Sequence, residues 1–220
     1  PSPVEEQLAV DVQRRLAGEP VAYIIGEWNF YGLPLTVTPA VLIPRPDTEI
    51  IAARAIELAK AAGPHGRVLD LCTGSGCIGL AVAKHAENCR VELGDLSEDA
   101  LRVCRQNARQ NGLTARTTIL TVDALQLPTH FLGDFNVIVC NPPYIRFDAL
   151  APQLQGEYKS RYKTFSARCD IYVPFFEKAL SLLAADGVLS FICSNRFAKS
   201  SYGRRLRSLI SREYRVALYL

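Results

Sequence analysis

The chain has 220 residues, with 25 Lys or Arg and 22 Asp or Glu, so its formal net charge is +3. Apolar residues make up 49% and charged residues 21%, which excludes a disordered, collagen-like or coiled-coil chain and fits a globular domain. No apolar run reaches the roughly 18 residues of a membrane span and we find no secretory signal, so we expect a cytoplasmic protein without membrane contact. The sequence contains no methionine, so we also expect that it has been cut from a longer reading frame.

The seven cysteines and three histidines do not have the spacing of a metal site. No Cys-x-x-Cys pair and no His-x-x-x-His pair occurs in the sequence. An odd number of cysteines, several of them inside apolar runs, is typical of small buried side chains in a reducing compartment. We therefore expect no metal and no disulfide framework.

Residues 1–46 are predicted to form an extension before the main domain. Apolar side chains at helical spacing predict a helix over residues 4–16, which ends before Gly18 and Pro20. An aromatic and β-branched stretch over residues 23–37, interrupted at Gly32 and Pro34, predicts a β-hairpin.

Residues 47–220 alternate between helices and short apolar strands and are predicted to form one domain. The predicted helices cover residues 47–62, 76–85, 97–111, 171–183 and 200–211. The predicted strands cover residues 67–71, 90–95, 117–122, 136–140, 188–193 and 214–220. This alternation predicts an α/β fold with a mostly parallel sheet and helices on both faces. Ligands of such sheets bind outside the carboxyl ends of the strands.

A glycine-rich loop follows the first strand of this domain and opens a helix. Gly74, Gly76 and Gly79 have the spacing G-x-G-x-x-G, which lets the backbone turn tightly and approach a ligand closely. Asp95 ends the next strand about 20 residues later, where a carboxylate can accept both hydroxyls of a ribose. The alternative is a tight strand-to-helix turn with no ligand.

Two cofactor classes fit this loop, a dinucleotide or S-adenosylmethionine. The carboxylate of Asp70 beside Thr73 favours S-adenosylmethionine, because it attracts the ammonium and sulfonium groups and would repel a pyrophosphate. Asp123, at the end of the third strand, is a candidate acceptor for the adenine amine, or else a strand-end turn residue. The candidate cofactor residues are Asp70, Cys72, Thr73, Gly74, Gly76, Asp95, Leu96, Asp123, Ala124 and Asn141.

The sequence Asn141-Pro142-Pro143-Tyr144 directly follows the fourth strand. The two prolines fix the backbone and remove two N–H donors, which leaves the Asn141 amide oxygen and the Pro142 carbonyl as acceptors. These acceptors can bind both hydrogens of a planar amine or amide, and Tyr144 can stack on its flat face. Catalysis would then be positioning and electrostatics, without a covalent nucleophile. Asn141, Pro142, Pro143 and Tyr144 are the candidate catalytic residues.

These motifs together resemble the amino-methyltransferases among the S-adenosylmethionine-dependent enzymes. The resemblance implies a Rossmann-like methyltransferase fold with a seven-stranded sheet whose last strand is antiparallel, preceded here by the helix and hairpin. It also implies S-adenosylmethionine as cofactor and direct methyl transfer to a nitrogen atom.

The two parts of the chain resemble different members of this group. Residues 18–145, with the motifs at 18–24, 30–33, 42–49 and 69–78, resemble the HemK-type glutamine methyltransferases, which modify release factors or a ribosomal protein. The resemblance places residues 42–49 in a wall of the cofactor pocket, and we assign a cofactor-side or phosphate role to Arg45. Residues 141–220 resemble restriction-modification adenine-N6 DNA methyltransferases instead, in the motifs at 145–146, 158–162, 169–180 and 194–207.

Charge is distributed unevenly between these two parts. Residues 1–145 hold 12 basic and 16 acidic side chains, and residues 146–220 hold 13 basic and 6 acidic ones. A basic second part indicates a polyanionic partner, or else a solvated helix face. Tyr158, Tyr162 and Phe165 alternate with basic residues, which suits an extruded base and its phosphates, or else core aromatics beside surface charges. The candidate substrate-binding residues are Tyr144, Arg146, Arg168, Asn195 and Arg196.

From these features we expect an enzyme that methylates the N6 amine of adenine in DNA. The alternatives are methylation of a glutamine amide in a release factor, and a module that binds the cofactor without turnover. A nicotinamide-dependent oxidoreductase is the remaining alternative among dinucleotide enzymes. We expect DNA, or a release-factor-like protein, as partner.

Overall fold

The computed structural model of the chain describes residues 2–128, 131, 133–166 and 169–217. The first helix is α1 (Pro3–Leu16), and its N-terminus carries a capping box in which Ser2 and Glu5 each bond the other's backbone N–H. A five-residue helix, α2 (Val21–Ile25), then leads into an antiparallel hairpin of β1 (Glu27–Phe30) and β2 (Leu33–Thr36).

The predicted first helix and hairpin are confirmed, although the hairpin is shorter than expected. It begins at Glu27 because residues 21–25 are helical and end at Gly26, whose φ is +78°. Its turn residues Tyr31 and Gly32 both have positive φ, the geometry that joins two adjacent strands through a two-residue loop.

The remaining elements form a sheet flanked by helices. In chain order they are α3 (Pro46–Ala61), β3 (Arg67–Leu71), α4 (Cys77–His85), β4 (Arg90–Asp95), α5 (Glu98–Gln110), β5 (Thr117–Thr121), β6 (Phe135–Cys140), α6 (Pro152–Arg161), α7 (Tyr172–Leu182), β7 (Leu183–Phe191), α8 (Arg196–Lys199) and α9 (Arg204–Glu213). The strand order is β5-β4-β3-β6-β7, and every neighbouring pair is parallel. The order reverses between β3 and β6, so the loops after these two strands diverge and leave a crevice between them.

The core lies on both faces of this sheet. Along β3, Val68 packs on one face with α3 and α4, whereas Leu69 and Leu71 pack on the other face with α7 and α9. Along β6, Val137 and Val139 take the first face and Ile138 the second. Both faces are therefore covered, which explains why these strands are continuous apolar runs in the sequence.

The fold class is confirmed, but the number of strands in the sheet is not the one expected. The described residues contribute five strands to it instead of seven. The strand predicted over residues 214–220 is not seen at residues 214–217, where the chain is exposed and unpaired after α9, and residues 218–220 lie outside the described part.

The strand predicted over residues 188–193 begins earlier and ends earlier than expected. Leu183 already pairs with Phe135, and an irregularity follows before Val188 pairs with Val137. Helices α6 and α8 were not predicted at all. Within the described residues, no helix has both the length and the apolar character needed to cross a membrane.

Candidate active site

A cavity of about 550 Å³ lies at the carboxyl ends of β3, β4, β5 and β6. Its wall includes most of the side chains that the sequence pointed to, namely Asp70, Cys72, Thr73, Gly74, Asp95, Leu96, Asp123, Ala124, Asn141, Pro142, Pro143 and Tyr144. Gly76 is not part of this wall. Gly76 lies behind the loop and is the N-cap residue of α4, with a φ of +84°.

Asp70 is the most deeply buried charged group of the site. It is 1% exposed, and its Oδ2 accepts from the Thr73 hydroxyl (2.7 Å) and from the Gly79 backbone N–H (2.9 Å). Burial raises the pKa of this carboxyl to about 7, against the two hydrogen bonds, which lower it, and together with the nearby charge of Asp95, which raises it. A cation in the cavity would favour the ionised form of Asp70.

The glycine loop exposes its backbone to the cavity. Gly74 has a φ of +54°, and a Cβ added there would meet no atom within 4 Å, so only a glycine keeps this surface bare without backbone strain. The Gly74 N–H donates to Asp95 Oδ2, and the Ser97 N–H donates to Asp95 Oδ1, both at 2.9 Å. These bonds fix the Asp95 carboxylate at the end of β4, and each of its oxygens keeps a lone pair for a ligand hydroxyl.

Asp123 lies at the end of β5, on the same wall. Its carboxylate accepts from the Leu125 N–H and from the side-chain amide of Gln126, both at 2.9 Å. The alternative of a strand-end turn aspartate therefore describes its local structure. Asp123 still lines the cavity, so its bonds to Leu125 and Gln126 do not exclude contact with a ligand.

The loop after β6 forms the opposite wall of the cavity. Pro142 is buried, and Asn141 is partly buried with a side-chain amide that has no hydrogen-bond partner among the described residues. Tyr144 is 57% exposed, and its hydroxyl donates to the carbonyl of Ile192 (3.1 Å) at the end of β7. Burial of the hydroxyl raises the pKa of Tyr144, so the phenol stays neutral, and its ring presents a flat face at the mouth.

Arg45 is the one cation among the described residues of this wall, and it belongs to the loop that begins α3. Its guanidinium has no hydrogen bond or ion pair with any described residue. The Arg45 charge opposes the rise in the pKa of the Tyr144 hydroxyl, so the two side chains lie near each other in this wall. The wall thus has three carboxylates at strand ends and one free cation near the acceptor loop.

Among the predicted substrate residues that the structure describes, Tyr144 lines the cavity, whereas Arg146, Asn195 and Arg196 do not. Arg146 is exposed and makes an isolated backbone bridge to Asp170. Asn195 and Arg196 are exposed at the start of α8, and Arg168 lies outside the described residues.

In the segment at residues 158–166 the aromatic side chains are buried and the basic ones are exposed. Tyr162 and Phe165 are buried, and the Tyr162 hydroxyl donates to the Leu125 carbonyl. The expectation that these two rings hold an extruded base is therefore wrong, because they pack in the cluster beneath α7.

One side of the cavity is apolar and was missed by the sequence analysis. It is formed by Leu125, Leu150, Leu154, Tyr158, Ile171 and Phe175. The whole wall thus offers carboxylates for a cationic, hydroxyl-bearing ligand and an apolar compartment for a flat ring. These groups fit S-adenosylmethionine, and the buried Ser75 Oγ, which has no partner within the described chain, adds a further polar atom.

Comparison with known proteins places this architecture in a family. The sequence model of the Eco57I restriction-modification methylase family matches residues 78–219. The chain belongs to the Eco57I restriction-modification methylase family.

Curated proteins similar to this Eco57I-family chain are release factor glutamine methyltransferases. The protein from Chlorobaculum tepidum is 39% identical over 190 residues, which cover 81% of this chain and 64% of that protein. The protein from Chlamydia trachomatis serovar D is 43% identical over 145 residues, which cover 65% of this chain and 48% of that protein. The chain thus spans about half to two thirds of the length of these relatives.

Solved structures similar to the Eco57I-family chain have the same fold at low sequence identity. The methyltransferase from Agrobacterium tumefaciens described as SAM-dependent has a TM-score of 0.59 and 15% identity, covering 82% of this chain and 57% of that one. The P. horikoshii TYW2 in complex with MeSAdo has a TM-score of 0.58 and 14% identity, covering 84% and 59%. These two structures confirm the fold that the sequence predicts, and the family match identifies the chain as a methylase.

Proposed function

We propose that this chain transfers a methyl group from S-adenosylmethionine to the side-chain amide nitrogen of a glutamine in a release factor. The observation that carries the proposal is the unpartnered Asn141 amide between the cofactor wall and the exposed Tyr144 ring. The names of the curated relatives favour this acceptor over DNA, which the sequence alone had put first.

Some residues of the cavity would bind the cofactor, and others would bind the acceptor amide. Asp70 attracts the ammonium group, Asp95 accepts the ribose hydroxyls, and Asp123 accepts from the adenine amine. S-adenosylmethionine, when bound, supplies the electrophilic methyl group.

The loop after β6 would orient the acceptor nitrogen. The Asn141 side-chain oxygen and the Pro142 carbonyl accept the two amide hydrogens, which draws the nitrogen lone pair out of conjugation and toward the cofactor side. Tyr144 covers one flat face of the amide and excludes water from it. This arrangement contributes by positioning, because no nucleophile of the chain has to form a bond.

The test is transfer of a tritiated methyl group to a release factor that carries a Gly-Gly-Gln sequence. We expect label on the intact release factor and none on a matched variant in which that glutamine is replaced by alanine. Asn141→Ala should abolish labelling while the protein still binds S-adenosylhomocysteine. Equal labelling of both release factors would contradict the proposal.

Adenine N6 in DNA is a second candidate acceptor, and a separate observation favours it. The family match over residues 78–219 takes in the acceptor loop and the whole basic part of the chain. Arg196, Lys199 and Arg204 form no ion pair with any described residue, and phosphate groups would pair with them. However, Arg205 donates to the Lys163 carbonyl (3.3 Å) and Arg207 to the Ser200 carbonyl (2.8 Å), so part of the positive charge serves the fold.

Duplex DNA in the same assay separates the two candidates. The adenine amine is as flat as the glutamine amide, so the acceptor loop suits both. Label on DNA that falls steeply with added salt, with none on the release factor, would establish the second candidate. Cofactor binding without label on either acceptor would favour a module without turnover.

A further inference from the structure

The apolar side of the cavity is built mainly by elements that follow the acceptor loop in the sequence. Leu150, Leu154 and Tyr158 come from α6 and the turn before it, and Phe175 comes from α7. They face the short turn at residues 124–126, which follows Asp123 at the end of β5. The compartment between them is therefore a feature of the second half of this chain.

Hydrogen bonds hold helix α6 to the turn at residues 124–126, so the compartment has a fixed shape. The Tyr162 hydroxyl and the Arg161 guanidinium (3.3 Å) both donate to the Leu125 carbonyl. At the other end, the Gln155 amide donates to the carbonyls of Phe147 (3.1 Å) and Leu150 (2.8 Å). The first two bonds hold the end of the helix against the turn at residues 124–126, and the Gln155 bonds hold its first half to the residues just before it.

Tyr158 is the polar group inside this compartment that the fold leaves unused. It is 6% exposed, and its ring packs edge-on against Tyr162 (6.4 Å between centroids) and Phe165 (5.8 Å). Its hydroxyl has no hydrogen-bond partner among the described residues. Burial raises the pKa of Tyr158 and the nearby Asp123 charge raises it further, so the hydroxyl stays a donor beside that carboxylate. Because Tyr158 lines the cavity, its hydroxyl is free to donate to an acceptor on a ligand that enters there.

We propose that Tyr158 is a specificity-determining residue that recognises the adenine ring of the cofactor together with Asp123. This inference rests on the proposed function, because it takes S-adenosylmethionine as the ligand. Adenine presents an amine donor next to a ring nitrogen acceptor. The Asp123 carboxylate is an acceptor and the Tyr158 hydroxyl a donor, so the pair matches this edge.

A 6-oxo purine lacks this match, because its oxygen would face the Asp123 carboxylate. The Tyr158 ring also lines the compartment near Asp123, so we expect it to limit the room for a bulky group on the adenine amine. The chain would therefore discriminate against both kinds of altered base, one by polarity and one by size.

The experiment is calorimetric titration of S-adenosylhomocysteine and of its 6-oxo analogue, S-inosylhomocysteine. We expect the wild-type protein to prefer the adenine compound by about tenfold or more. Tyr158→Phe should lower the affinity for S-adenosylhomocysteine by about threefold to tenfold, the range of one net hydrogen bond, and reduce the preference accordingly. The control is Tyr214→Phe, which removes a tyrosine hydroxyl that lies outside the cavity wall and makes no hydrogen bond with a described residue, and it should keep the wild-type preference.

A second variant tests closure of the compartment without relying on the hydroxyl. Tyr158→Ala should bind an S-adenosylhomocysteine analogue that carries an N6-benzyl group at least tenfold more tightly than the wild type does. Unchanged affinities in Tyr158→Phe together with no gain for the N6-benzyl compound in Tyr158→Ala would overturn the inference.

The outcome also separates this inference from the proposed function. Cofactor binding and adenine preference that depend on Tyr158, without methyl transfer to any acceptor, would overturn the function and leave the inference standing. Methyl transfer to glutamine with no role for Tyr158 in base preference would overturn the inference and leave the proposed function standing. Failure of the wild-type protein to bind S-adenosylhomocysteine would overturn both.

Discussion

Raising the pH from 6 to 8 is expected to strengthen binding of S-adenosylhomocysteine, because the Asp70 carboxyl ionises in this range. Burial raises the pKa of Asp70 to about 7, and the ligand's ammonium group favours the ionised carboxylate. The titratable groups around it are Asp95 and the thiols of Cys77, Cys104 and Cys140. Burial raises the pKa of all three thiols, that of Cys77 to about 12, so they remain neutral throughout.

The size of the effect follows from the fraction of ionised Asp70. With a pKa of about 7, this fraction rises from about 10% at pH 6 to about 90% at pH 8. If the ammonium binds only the ionised form, affinity increases up to about ninefold, or about 1.3 kcal/mol. Binding at pH 6 should also release close to one proton.

Titration calorimetry at several pH values, in two buffers with different ionisation enthalpies, measures both quantities. Asp70→Asn keeps the shape of the side chain without the charge, so its affinity should be flat over this range and its proton release absent. Wild-type affinity that does not change between pH 6 and 8, or a variant that retains the pH dependence, would refute the reasoning.

Ionisation of Asp70 also makes the stability of the ligand-free protein depend on pH. The pKa of Asp70 rises from 3.8 to about 7 on folding, so the native state binds more protons than the unfolded state between these values. The free energy of unfolding should therefore fall as the pH rises from about 4 to about 7, by on the order of 4 kcal/mol. Urea unfolding of the wild type and of Asp70→Asn across this window should show the difference, and parallel pH profiles would contradict it.

Three further variants test the loop, the cation and the acceptor site. Gly79→Ala would place a Cβ 2.1 Å from a leucine methyl of β4, so it should lower the free energy of unfolding by about 1–3 kcal/mol in urea, whereas Gly156→Ala, which meets no atom within 4 Å, should not lower it. Arg45→Ala should weaken S-adenosylhomocysteine about tenfold but leave its decarboxylated analogue unchanged, because we expect Arg45 to pair with the ligand carboxylate. Arg54→Ala, at an exposed position on the same helix, is the control, and equal losses for both ligands would refute the pairing. Asn141→Ala should slow methyl transfer about 100-fold or more with little change in cofactor affinity, and a retained rate would contradict its role.

The strand ends of the site could be predicted from the sequence because their signals are local. β3 and β4 have the predicted bounds, since each is a short segment with buried apolar side chains between turn residues. Parallel strands bring their carboxyl ends to one edge, so Asp70, Asp95 and Asn141 had to meet there once the strands were known.

The apolar side of the cavity could not be predicted because it depends on long-range packing. Helix α6 carries one buried residue, Tyr158, and a central Gly156, so no apolar face marks it in the sequence. Its position is set by bonds to the Leu125 carbonyl, about 37 residues earlier in the chain. The basic second part, which favoured DNA in the sequence, is also affected by long-range packing, because the Arg207 guanidinium donates to the backbone carbonyls of Phe197 and Ser200.

A competition for one labelled methyl donor tests the central claim most directly. Equal amounts of a release factor and of duplex DNA are incubated with the chain and S-adenosylmethionine, and mass spectrometry locates the transferred methyl groups. The account predicts a methyl group on the side-chain amide of the Gly-Gly-Gln glutamine, lost in Asn141→Ala. Methyl groups found on adenine alone, or on neither acceptor although S-adenosylhomocysteine binds, would contradict it.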